Sequence, residues 1–130
     1  MRQPVHLPAA SRLDGWLIAL AGASAVAFGA FGAHALRGVL DAQGAELWHT
    51  ASQYQFWHAL ALALTVAVAQ GRPRRCARVA FALGIVLFSG SLYALALGAP
   101  RWVGAITPLG GVAFIVGWIA LGLGIRRAPE

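Results

Sequence analysis

Four long stretches of this chain carry no Asp, Glu, Lys or Arg: Gly15–Leu36, Leu47–Gly71, Val79–Pro100 and Trp102–Ile125. A charge-free apolar run of about 18 residues or more is long enough to cross the hydrocarbon core of a bilayer. In that medium the backbone must satisfy its own hydrogen bonds, which a helix does within one segment. Composition agrees, with 59% hydrophobic and 11% charged residues, against about 25% charged in an ordinary soluble domain. So few charges cannot cover a soluble surface of this size. The expected fold class is therefore all-α, an integral membrane four-helix bundle in a single domain over residues 1–130.

The expected spans are approximately 13–35, 52–70, 77–98 and 107–125. "ASA" at 23–25 resembles a signal cleavage site, but the apolar run continues well beyond it, so an anchored helix is expected instead. The second span is the weakest. "FWHALALALTVAVAQ" is short for a bilayer, so its helix is expected to start near Ala42 and end near Ala69. That adds an interfacial helical extension before the span, with Leu47, Trp48 and Ala51 on its apolar side and Trp48 and Trp57 at headgroup level. "GRPRRCAR" reads as a tight charged connection in which Pro73 cannot continue the preceding helix. Gly98 and Pro100 mark a stop, while Thr107 and Pro108 suit the N-cap and first residue of the last helix.

All ten basic residues are arginines, and the formal net charge is +6. In a four-span chain Arg2, Arg12, Arg72, Arg74, Arg75, Arg78, Arg126 and Arg127 share one side, leaving Arg37 and Arg101 on the other. That bias predicts both termini in the cytoplasm. It also accounts for the basic balance through anionic headgroups, so no nucleic-acid partner is expected. The expected partner is the lipid bilayer. Cys76 is the only cysteine, which excludes an intrachain disulfide.

Small residues recur at seven-residue spacing: Gly15, Gly22 and Gly29; Ala77, Gly84, Ser91 and Gly98; Gly110, Gly117 and Gly124. Such stripes let helix backbones approach closely, which is a main source of adhesion in lipid. Spacing alone leaves open whether a stripe faces a neighbouring helix, a second copy or another subunit of a membrane complex.

Polar side chains gather in the outer halves of the expected spans. His34 closes the first; Tyr54, Gln55 and His58 share a face of the second; Ser89, Ser91 and Tyr93 lie in the third; Thr107 opens the fourth. These eight residues are the candidate ligand-binding set, and His34 is expected to face the layer containing His58. Polar groups in a membrane interior need partners, and ionisable ones mark functional candidates. The plain structural reading makes them hydrogen bonds between helices. His34, Glu46, His49 and His58 supply metal-ligand types without compact spacing, so neither a metal nor a cofactor is expected. Ser89 and Ser91 have no nearby carboxylate to complete a catalytic group, and no buried carboxylate is evident in the spans. The expectation is a non-catalytic protein.

"GAFGAHAL", "TASQYQFWHALALAL", "FSGSLYALAL" and "TPLGGVAFIVGW", in that order over about residues 15–120, resemble the small four-span YgdD-like family related to transmembrane protein 256. The resemblance implies a bacterial inner-membrane protein with both termini inside. It brings no reaction, substrate or catalytic residue. The function expected is thus a small polytopic membrane protein whose polar layer organises the bundle and binds a small ligand or lipid. The alternatives are a small-solute or proton-coupled transporter, working as an oligomer, and an accessory subunit of a membrane complex.

Overall fold

The structure is a computed structural model that describes residues 9–125. Arg2, Arg126 and Arg127, three of the arginines in the orientation argument, lie outside the described residues. Within them the chain is all-helical, apart from one isolated bridge between Ala69 and Ile125. Helix α1 spans Arg12–His34 and α2 spans Ala42–Val68. Helix α3, Gly71–Gly84, runs through one π-helical turn at Ile85–Ser89 into α4, Gly90–Ala96. A 3-10 turn at Arg101–Ala105 leads into α5, Thr107–Gly124. Three segments are long and apolar enough to cross a membrane: Arg12–His34, Gly71–Ala96 and Arg101–Gly124.

Local chemistry explains each boundary. Ser11 and Asp14 form a reciprocal capping box: the Asp14 amide donates to Ser11 Oγ at 3.1 Å, and the Ser11 amide donates to Asp14 Oδ2 at 2.8 Å. Asp41 caps α2 by accepting from the Gly44 amide at 2.7 Å. Gly38, at φ 80°, and Gly98, at φ 93°, turn the chain after α1 and α4 through backbone conformations that side chains disfavour.

The "GRPRRCAR" segment corrects the sequence expectation. It is no loop but the first two turns of α3, which begins at Gly71 rather than near 77. Pro73 stands in the first turn, where the amide hydrogen it lacks has no helical partner anyway. The real break falls at Ala69 and Gln70, both extended, followed by Gly71 at φ 68°. Thr107 likewise does not cap α5: the helix includes it, and its hydroxyl makes no capping bond.

The core lies between α2, α3 and α5, where Leu62, Phe81, Phe114 and Leu121 pack with Ala61, Ala69, Ala77 and Ala120. Outside it the surface is apolar too. Leu123 is 76% exposed while Leu62 is 1% exposed, a contrast that a soluble domain would not sustain over so many side chains.

The glycine stripes divide. A Cβ on Gly117 would strike the Phe81 ring, one on Gly84 the Phe114 ring, and one on Gly110 the backbone of Phe88 in the π turn. Gly124 sits against Pro73 and Ala69. These glycines let α5 press closely on the α3–α4 rod. Gly15, Gly22 and Gly29 have open space where a Cβ would go, and α1 buries only Asp14 and Ala25. It rests mainly on α2.

Candidate functional site

The polar side chains pair off between helices. Gln55 on α2, 3% exposed, joins three elements. Its amide nitrogen donates to the Ala21 carbonyl at 3.1 Å and to Ser24 Oγ at 2.6 Å, both on α1. Its amide oxygen accepts from the Tyr93 hydroxyl of α4 at 2.8 Å. Because the phenol donates on one side and a carbonyl accepts on the other, the amide orientation is fixed by its partners. The Tyr93 ring in turn packs against Trp48 and Phe28, with centroids 4.6 and 5.1 Å away.

His58, one turn further along α2, faces α5. Its Nδ1 lies 2.6 Å from the Tyr54 carbonyl, and its Nε2 lies 3.2 Å from Trp118 Nε1. A carbonyl only accepts and an indole only donates, so the ring is the neutral tautomer with hydrogen on Nδ1. The imidazole stacks on Phe114, with centroids 3.5 Å apart and planes within 9°. Tyr54 stacks on Phe88 at 4.5 Å. A proton arriving at Nε2 would meet the indole N–H instead of an acceptor.

Two serines of the rod face opposite neighbours. Ser89, in the π turn, donates to the Ala51 carbonyl of α2 at 2.8 Å. Ser91 lies 2.6 Å from the Thr107 hydroxyl of α5 and also donates to the Phe88 carbonyl at 2.9 Å. Six of the eight sequence-derived candidates thus enter three separate links, Gln55 with Tyr93, His58 with the Tyr54 carbonyl, and Ser91 with Thr107, while Ser89 reaches the Ala51 backbone alone. They do not converge on one pocket.

His34 stands apart. It is the last residue of α1 and is exposed. Among the described residues its side chain makes no hydrogen bond to the others, so it does not face the layer of His58. The reason is packing: α1 turns its Ala21, Ser24 and Phe28 side toward α2 and α4, which leaves position 34 on the outer flank.

Sequence reasoning missed three participants. Trp48, expected among the interfacial first turns of α2, packs inside the bundle against α1. It is 7% exposed, and its indole donates to the Phe28 carbonyl at 2.7 Å. Trp118 is the donor to His58. Asp14 is a buried carboxylate, 2% exposed, with Arg78 at 2.9 Å and Arg74 at 3.4 Å. Its sequence signal was the capping box beginning at Ser11 and the arginines of "GRPRRCAR", which become ion-pair partners only once that segment is helical.

Ser89 and Ser91 donate to oxygens of the fold, and the buried carboxylate lies on α1 with its charge met by two guanidinium groups. Among the described residues no three His, Cys, Asp or Glu side chains gather into a metal-sized group.

Comparison with known proteins agrees with a membrane setting. The family described as "Protein of unknown function (DUF423)" matches residues 28–111. A UPF0382 membrane protein of Haemophilus influenzae is 44% identical over 117 residues, covering 88% of this chain and 94% of that protein. The UPF0382 membrane protein YwdK of Bacillus subtilis is 47% identical over 102 residues, covering 75% and 82%. The UPF0382 inner membrane protein YgdD of Escherichia coli is 43% identical over 113 residues, covering 84% and 86%. No solved structure matches. Matched over most of its length, and built of helices apolar enough to cross a bilayer, the chain belongs to the DUF423 family of membrane proteins, whose function is unknown.

Proposed function

We propose that the protein is a non-catalytic, four-span component of the bacterial inner membrane with both ends in the cytoplasm. Its outer-half polar side chains serve as adhesive between helices. Helix α2 is the span that composition alone leaves weakest. Its 27 residues extend about 40 Å, more than the roughly 30 Å of hydrocarbon, so its polar first turns can protrude while the remaining turns cross. Two sets of contacts support a common face for the chain ends. Asp14 ties the start of α1 to the start of α3. The Gln70 amide donates to the Gly124 carbonyl at 3.0 Å, placing the end of α2 beside the end of α5. That face carries the arginines of α3, as the cytoplasmic side should.

The observation that carries the adhesive reading is that Gln55 and His58 have every strong donor and acceptor engaged inside the protein. A transport or ligand site would leave some of that capacity for its cargo. Proteoliposomes of the full chain, carrying a pH-sensitive dye, are expected to hold an imposed pH gradient as well as empty vesicles do. A proton leak that His58→Leu abolishes would replace this reading with a carrier.

A further inference from the structure

The opened flank of α1 borders a groove that none of the links above uses. It has a volume of about 580 Å³ and runs between the second half of α1 and the first half of α2. Ala25, Gly29 and Ala33 form its α1 wall, which is about 12 Å long at the rise of a helix. Along the α2 wall lie His49 and Gln53, and Arg37 stands at the end where the chain turns between the helices. No carboxylate lines it. Arg37 has no ion pair among the described residues, where Asp14 holds the ion pairs observed. The groove is therefore apolar at depth and cationic at its mouth.

We propose that this groove binds one anionic phospholipid of the outer leaflet, with its phosphate at Arg37 and His49 and an acyl chain along Ala25, Gly29 and Ala33. The assignment rests on the four-span reading, which places Arg37 at the outer headgroup level and Ala25 in hydrocarbon. Arg37 matches a phosphate in charge and hydrogen-bond geometry. Gln53 is the second reason. It is exposed on the groove side and makes no side-chain hydrogen bond among the described residues, yet at that depth an amide without a partner is unfavourable. The glycerol ester oxygens below a bound phosphate would accept from it. Smallness at position 29 keeps the groove open, since a side chain there meets nothing within 4 Å and would project into the space the acyl chain takes.

The test is native mass spectrometry of the full chain in mild detergent, titrated with dioleoylphosphatidylglycerol or dioleoylphosphatidylcholine. The wild-type chain is expected to hold one phosphatidylglycerol with about fivefold preference over phosphatidylcholine, the factor one interfacial arginine supplies. Arg37→Gln should bring that ratio close to unity, and Arg101→Gln, outside the groove, should leave it unchanged. Gly29→Leu should remove retention of both lipids with unfolding temperature preserved; Ala33→Leu, at an exposed position on the same wall, checks the same point should Gly29→Leu fold poorly. Equal lipid retention by the wild-type and both groove-filling variants would overturn the proposal. So would a wild-type dimer that these variants split, which would make a second copy the occupant. Failure of the four-span reading is separable, because cytoplasmic labelling of Val39→Cys would refute the orientation while leaving the adduct pattern as measured.

Discussion

At the scale of single residues, Gln55 concentrates the most hydrogen bonding. One amide meets α1 twice and α4 once, so Gln55→Leu removes three bonds and strands the Tyr93 hydroxyl. Interhelical bonds in membranes average about 0.6 kcal/mol each, and orphaned buried partners add to that. The expected loss is about 2 kcal/mol, read as a lower unfolding temperature in detergent. Trp118→Phe is expected to cost less, about 0.6 kcal/mol, because it deletes one donor and keeps most of the packing against Phe81. If both variants unfold together with the wild-type protein, the polar side chains are not adhesive. Gln55, Tyr93 and His58 were legible as a group because helical spacing and depth are written in the chain. Their pairing was not, since it depends on which face each neighbouring helix presents.

At the scale of elements, the π turn and the glycines of α5 set how closely the rods approach. Gly117 lies against Phe81, whereas Gly22 faces open space. Gly117→Leu is therefore expected to destabilise the fold by about 3 kcal/mol or more through overpacking. Gly22→Leu should change stability by less than about 0.5 kcal/mol, as surface substitutions usually do. Chemical denaturation of both variants in one detergent makes the comparison. Helix α1 depends on a different device. Its few buried groups include Asp14, whose partners Arg74 and Arg78 lie on α3. Asp14→Asn leaves two partly buried guanidinium groups without a countercharge, a change of about 3 kcal/mol for broken buried pairs. Faster amide exchange confined to the first turns of α1 is the expected signature, with α3 and α5 unaffected.

For the whole molecule, the exposed large hydrophobics run along α1, α2, α3 and α5, and the arginines of α3 crowd one end. Cys76, exposed on the first turns of α3, should react with a membrane-impermeant maleimide only in inverted vesicles. Val39→Cys, placed in the connection between α1 and α2 where the native valine is 70% exposed, should react only from the outside of intact cells. The reverse pattern at either site would refute the proposed topology. That experiment also decides the standing of α2, because the two sites flank it and would lie on the same side if it did not cross.

Hydropathy and charge segregation along the chain were enough to identify an all-helical membrane protein, and the shortness of the second apolar run was enough to start α2 near Ala42, where it begins. Those properties are local: a run of apolar side chains or a cap acts within a few residues of itself. Packing settled the rest. Only contact with Phe81, Phe88 and Phe114 distinguishes the working glycines of α3 and α5 from the open ones of α1. Only the helical start of α3 brings Arg74 and Arg78 to Asp14, some sixty residues away in sequence. A side chain's partner depends on the azimuth of two helices about their axes, and heptad spacing by itself leaves that angle undetermined.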